Sequence, residues 1–253
     1  MTGSILFCME RLKVNWTTRA TLAPLAWVAL IACMGITPAY AAQDATAAKA
    51  AATVGATVAT STTPTAVKPT IVVLGDSISA EYGLPRDTGW VALLRSKLPQ
   101  EHFDYSVANS SISGDTTSGG LARLPAALNR IRPSIVIVEL GANDALRGVP
   151  LATTEANLRS IIEKSQAANA KVLLVGMYVP PNYGPDYSQK FHGVYEQLSK
   201  EKRVPLVPFL LAGIENTPEM FQADQIHPTP QAQPLLLNNV WPVLRPLLGA
   251  PSK

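Results

Sequence analysis

The sequence predicts an open α/β sheet, mostly parallel and five-stranded, with helices on both faces. Three observations carry that reading. Four runs are nearly continuous in Val, Ile and Leu: TIVVLG (70–75), SIVIVELG (134–141), KVLLVGMYV (171–179) and VPLVPFL (204–210). Such runs mark strands buried on both faces, as in parallel sheets, not strands with one wet face. Stretches of helical period lie between them, and this alternation requires right-handed crossovers that lay helices against the sheet. A length of 253 residues at 47% hydrophobic also suffices for one well-filled core.

The chain opens on a leader. Arg11, Lys13 and Arg19 precede the apolar run ATLAPLAWVALIACMGI, and Pro38 with the small-x-small triplet Ala39-Tyr40-Ala41 marks cleavage after Ala41. Residues 1–41 therefore read as a secretory signal, which places the protein in the periplasm or outside the cell. LIAC (30–33) supports a second reading, in which an acylated Cys33 tethers the mature protein to a membrane. The plain reading of Cys33 is a small apolar residue inside the signal. Both cysteines, Cys8 and Cys33, fall in this leader, so a form cleaved after Ala41 has no thiol for a disulfide framework or a cysteine metal site. The leader also holds three of the 21 basic side chains and one of the 18 acidic ones, leaving 18 against 17. Nucleic acid is not expected as a partner, because a binder of phosphate backbones concentrates basic charge on one face.

Residues 42–67 are Ala/Thr-rich and read as a flexible linker. The domain follows over 68–253. TIVVLG is its first strand, GWVALLRSKL (89–98) a helix, and FDYSVAN (103–109) a weaker strand. GGLARLPAALNRI (119–131) is the next helix, then the strand SIVIVELG. In TTEANLRSIIEKSQAA (153–168), Leu158, Ile161, Ile162 and Ser165 share one face, with Thr153 or Thr154 available as N-cap. KVLLVGMYV, a helical stretch around His192, VPLVPFL and the helix QAQPLLLNNVWPVLRPLL (231–248) complete the order.

In sheets of this kind the site lies at the carboxyl ends of the strands. Four polar clusters fall there: GDSIS (75–79), SSISGD (110–115), GAND (141–144) and DQIHP (224–228). Serine hydrolysis needs a hydroxyl, an imidazole base, a carboxylate that holds the imidazole's tautomer, and donors for the oxyanion. Ser77 is the candidate hydroxyl. Of the three histidines, His102 precedes a strand at the wrong end and His192 sits beside Phe191 and Tyr195, so both read as surface or packing residues. His227 follows Asp224 by three residues, close enough on a tight turn for the carboxylate to reach one ring nitrogen, and Pro228 helps fix that turn. Gly114 N–H, the Asn143 amide and Ser77 N–H are candidate oxyanion donors. Each cluster alone has a plainer reading: a turn glycine at Gly114, an Asx turn at Asn143-Asp144, a helix cap at Asp224.

Taken together, Gly75-Asp76-Ser77-Ile78-Ser79, Gly114, Gly141-x-Asn143-Asp144 and Asp224-x-x-His227 resemble, in order, the four blocks of the SGNH hydrolases, or GDSL-type esterases. The stretches ISGDTTSGGLARLP, VELGANDALRG, AANAKVLL, PPNYGPDY and IHPTPQAQP are similar to its secreted bacterial branch of multifunctional thioesterase, protease and lysophospholipase enzymes, arylesterases among them. The resemblance implies a three-layer α/β/α sandwich with a flavodoxin-like sheet, no metal and no other cofactor. It implies Ser77 as nucleophile, Asp224 and His227 as its dyad, and Ser77 N–H, Gly114 N–H and Asn143 as oxyanion donors. Ile78 stands where the family usually has Leu, a volume-conserving change. Glu81-Tyr82-Gly83 adds a carboxylate near the nucleophile turn, a departure that bears on the acyl-site entrance or the pH profile. The G-x-S-x-G elbow of α/β-hydrolases is absent.

The expected chemistry is two-step acyl transfer from a small-molecule ester or thioester by a monomer, near a membrane if the Cys33 tether is used. Val179, Pro180 and Tyr183 are the expected wall of the acyl groove, and ALRGVP (145–150) a flap on its other side. A short-chain deacetylase of acetylated carbohydrates is the rival within the enzyme class, weakened by having only four tryptophans, two of them in the leader. A binding module that keeps the fold without turnover is the rival outside it.

Overall fold

A computed structural model describes residues 68–179 and 181–251; the expected signal, the linker and Pro180 lie outside the described residues. Strands β1 (Thr70–Gly75), β2 (Ser106–Asn109), β3 (Ile135–Glu139), β4 (Lys171–Val175) and β5 (Leu206–Val207) are all parallel, in the spatial order β2-β1-β3-β4-β5. The central three are the Val/Ile/Leu-rich runs, and Ile71 to Leu74, Ile135 to Val138 and Val172 to Val175 are buried. Parallel pairing between two helical layers explains why these strands carry no polar alternation.

Helices α1 (Trp90–Gln100) and α6 (Gln233–Leu244) pack against each other, while α4 (Leu151–Ala167) packs between α2 (Thr117–Ile131) and α5 (Pro185–Lys202). The result is a three-layer α/β/α sandwich. A short helix, α3 (Ala142–Leu146), follows β3 at the rim. On α4, Leu158, Ile161, Ile162 and Ser165 are buried as their spacing predicts. Its start differs from expectation: the helix begins at Leu151 after Pro150, which is pre-set for a first turn, and neither Thr153 nor Thr154 is the N-cap. Thr154 instead turns its hydroxyl to Asp144 at 3.3 Å.

The outer strands are shorter than the sequence suggests. FDYSVAN pairs only over Ser106–Asn109, and VPLVPFL only over Leu206–Val207, where Pro205 and Pro208 on either side remove ladder donors. Both described chain ends are tied to the strand starts. Lys68 pairs with Asp104, the Tyr105 hydroxyl donates to Leu248 O at 3.0 Å, and Lys171 Nζ donates to Leu247 O at 2.7 Å. The carboxyl ends of the strands are thereby left to the loops that carry the polar clusters.

Candidate active site

Strand β1 ends at Gly75, where no side chain fits. A Cβ there would lie 2.8 Å from Glu139 Oε2, from Ser111 Oγ and from Ser79 Cβ. The chain then coils, with Ala80 N–H donating to Asp76 O and Tyr82 N–H to Ser77 O. Asp76 Oδ1 accepts from Ile78 N–H at 3.1 Å, an Asx turn that fixes the backbone on both sides of Ser77. The serine is thus half-buried on a turn whose neighbours Asp76, Ile78 and Ser79 are buried.

Asp224 Oδ1 accepts from the backbone N–H of Ile226 at 2.9 Å and of His227 at 3.0 Å, and Gln225 takes φ 56° to close the turn. Gln222 N–H donates back to His227 O at 2.7 Å, and Phe221 bridges Pro228, so the loop is held across its base. Asp224 Oδ2 stands 2.7 Å from His227 Nδ1, and His227 Nε2 stands 2.8 Å from Ser77 Oγ. An ionised Asp224 only accepts, so Nδ1 carries the proton and Nε2 is left to accept from the Ser77 hydroxyl. Desolvation alone raises the Asp224 carboxyl, but the His227 and Ile226 backbone donors and the imidazole outweigh it and hold the group at about 2. The Tyr82 ring lies over the imidazole, 4.4 Å between centroids.

The amide of Asn143 donates to Asp76 Oδ2 at 3.1 Å, leaving its second N–H unassigned. Gly114 adopts φ 77°, open to glycine at little cost, and its carbonyl accepts from Arg147 Nη2 at 2.7 Å. Among the described residues, nothing accepts from the backbone N–H of Ser77 or of Gly114. Arg123 binds the loop carrying Gly114 to the end of β1: its Nε meets Asp115 at 2.7 Å, Nη2 meets Gly75 O at 3.1 Å, and Nη1 meets Ser110 O. Asp144 is buried and accepts from Thr117 N–H at 2.8 Å, joining the Asn143 turn to the start of α2.

A cavity of about 880 Å³ opens beside the Ser77–His227 pair. Ile78 and Ile226, the neighbours of those two residues, line it, with Met177, Tyr178, Val179 and Phe209. Val179 lines this cavity, as does Leu146 of the 145–150 segment. Tyr183 does not: it stacks on Tyr187 at 6.0 Å, and its neighbours Gly184 and Pro185 line the cavity instead. The Glu81 carboxylate accepts from Asp87 N–H and Gly89 N–H, which ties it to the segment before α1. His192 is a buried packing residue in α5, stacked on Tyr178 at 4.0 Å.

Sequence reasoning passed over Glu139 and Arg123. Glu139 is the one charged residue of the SIVIVELG run, placed at its rim end, and that was the available signal. Nothing local marks Arg123, whose three partners come from two segments, the 110–115 loop and the end of β1.

The chain was compared with known proteins. Residues 73–234 match the model of the GDSL-like Lipase/Acylhydrolase family. Esterase TesA of Pseudomonas aeruginosa is 52% identical over 186 residues, 74% of this chain and 92% of that protein. Thioesterase 1/protease 1/lysophospholipase L1 of Escherichia coli K12 is 44% identical over 183 residues, 72% of this chain and 86% of that one. The crystal structure of the psychrotrophic esterase EstA from Pseudoalteromonas sp., inhibited by monoethylphosphonate, superposes with a TM-score of 0.68 at 42% identity, covering 72% of this chain and all of that one. With its strand order, its four converging loops and a family match over more than half its length, this chain belongs to the GDSL-like lipase/acylhydrolase family.

Proposed function

We propose that the protein is an exported serine hydrolase that cleaves carboxylic esters and thioesters through a Ser77 acyl-enzyme. Ester hydrolysis is the activity in the names of its relatives, and one observation supports the serine route above the others. Asp224, His227 and Ser77 stand in hydrogen-bonded series at 2.7 and 2.8 Å with the acceptor nitrogen facing the hydroxyl. In the first step Ser77 Oγ bonds to the substrate carbonyl carbon while its proton passes to His227 Nε2. The carbonyl π electrons move to oxygen, which takes hydrogen bonds from Ser77 N–H, Gly114 N–H and the Asn143 amide. Collapse of this intermediate expels the alcohol or thiol, which takes the proton from His227. Water then repeats the sequence on the acyl-serine and releases the acid.

The cavity supports a medium or long acyl chain over acetyl. Its volume of about 880 Å³ and its Met, Tyr, Val, Phe and Ile lining suit an extended apolar group, which supports thioesterase, arylesterase or lysophospholipase action over deacetylation of carbohydrates. Export rests on the leader pattern alone, and no helix of the described residues is long and apolar enough to cross a membrane. The test is kcat/KM of purified residues 42–253 on p-nitrophenyl esters from acetyl to palmitoyl, with Ser77→Ala as blank, together with mass analysis after a phosphonate inhibitor. A rate that rises with chain length and a phosphonyl adduct on Ser77 are expected. Activity confined to acetyl overturns the chain-length reading, and an unmodified Ser77 overturns the mechanism.

A further inference from the structure

Beneath the nucleophile turn lies a pair of acids that the mechanism above does not use. Glu139 ends β3 in register with Gly75 and is 0% exposed; Asp76, next to Ser77, is 1% exposed. Glu139 Oε2 accepts from Ser79 Oγ–H at 2.7 Å and from Asp76 N–H at 3.3 Å, and Ser79 Oγ accepts in turn from the Trp90 indole N–H at 3.2 Å. Glu139 Oε1 is buried and accepts from no donor among the described residues. Glu139 and Asp76 thus set two buried carboxyl groups side by side, each charge disfavouring the other. Two carboxylates have only acceptors, so a hydrogen bond between the two groups requires a proton on one of them.

The donors decide which one. Asp76 receives two N–H groups, from Ile78 on Oδ1 and from Asn143 on Oδ2, and these stabilise its charged form. Among the described residues no cation pairs with Glu139: Arg123 is committed to Asp115 and to the carbonyls of Gly75 and Ser110. The other titratable groups facing the pair are His227 from the turn before α6, Asp115 from the loop before α2, and Tyr195 from α5, whose hydroxyl donates to Leu140 O at 2.9 Å. Burial, and then the Asp76 charge, push the Glu139 carboxyl well above the usual range. Burial also raises Asp76, to about 6, against the pull of its backbone donor and of His227.

We propose that Glu139 is a positioning residue: it is the neutral acid of the pair, and its O–H holds the Asp76 carboxylate that aims the Asn143 amide at the oxyanion. A proton on Glu139 Oε1 also turns an orphaned acceptor into a satisfied donor, which removes the cost of leaving it buried and unpaired. The proposal rests on Asn143 being an oxyanion donor.

The experiment compares wild type, Glu139→Gln, Glu139→Met, Asn143→Ala and the double variant Glu139→Met/Asn143→Ala, with Ser77→Ala as blank. Gln donates from an amide as the neutral acid does, so it is expected to keep kcat within about threefold and to leave the pH–rate profile in place. Met cannot donate, and is expected to lower kcat about 10- to 100-fold with KM unchanged, a fraction of the ~10²–10³ carried by one oxyanion donor. In the Asn143→Ala background Met is expected to cost nothing further, because the two act in series. A Gln variant as damaged as Met, a shifted Gln profile, or an undiminished Met effect without Asn143 overturns the proposal.

Infrared difference spectra supply a readout that needs neither turnover nor the Met variant to fold. Wild type at neutral pH is expected to show the carbonyl stretch of a protonated carboxyl group, and Glu139→Gln to lack it. Absence of the band, or its survival in Gln, overturns the proposal. Full activity in Ser77→Ala would instead overturn the acyl-enzyme reading and leave the spectral result standing.

Discussion

Asp224 and Asp76 both flank the Ser77–His227 pair, one from the turn before α6 and the other from the end of β1, and their surroundings push them in opposite directions. The Asp224 side chain keeps 39% of its exposure, and the backbone and ring donors of its own tight turn hold its carboxyl at about 2. Asp76 is buried, shares its site with a second acid, and is raised to about 6. Local hydrogen bonds make the first a permanent anion that can steady an imidazolium. Burial makes the second a group whose charge depends on what packs around it. The contrast teaches that the chain-local half of this site is set by a four-residue turn, and the buried half by the register between two strands.

Four measurements break or sharpen this contrast. Ser77→Ala removes the hydroxyl of the pair that both carboxylates flank, and is expected to lower kcat by ~10⁴ or more; a loss below tenfold in the ester assay would dissolve the comparison. Asp224→Ala frees the imidazole's tautomer and is expected to cost about 10³–10⁴ in kcat with little change in KM. A loss under tenfold would mean the exposed turn is a scaffold only.

Asp76→Asn tests the buried half through stability. The folded pKa of Asp76 lies above its unfolded value, so its contribution is fully present below pH 4 and is lost as pH rises through about 6. Asn has no proton to lose, and the Tm difference, variant minus wild type, should therefore grow more positive between those limits. The span is roughly 3 kcal/mol. A difference flat with pH would show that Asp76 is not raised. The smallest effect is expected from Tyr82→Leu, which removes the ring over His227; ~0.5–1 kcal/mol of cation–π support for the imidazolium is a two- to fivefold loss in kcat/KM. An unchanged rate would assign the stacked ring to packing alone.

The same division governs what the sequence made legible. TIVVLG forms β1 over the predicted residues because an all-apolar run buried on both faces has no competing arrangement. Ser77, just past the end of β1, and Asp224 and His227, in the turn before α6, were singled out because each sits in a tight turn that controls its neighbours. VPLVPFL shrank to two residues because its prolines outweigh its apolar character at the sheet edge. Tyr183 was misplaced into the groove because a Pro-rich loop gives no periodicity from which to tell inward from outward. The Asp76–Glu139 pair needs β1 and β3 to align Gly75 with Glu139, a fact of tertiary register that neither segment carries alone.

One consequence reaches past catalysis to how this protein can be handled. Lys68 and Leu248 both sit by the starts of strands, held there by Asp104 and Tyr105, while Ser77 lies past the far end of β1. Six strand residues separate the two ends, about 20 Å at the rise of an extended chain. A tag, a fused domain or a bead joined at either end of the folded core therefore attaches away from the cavity beside Ser77. Immobilisation through those ends leaves the substrate loops facing the solution.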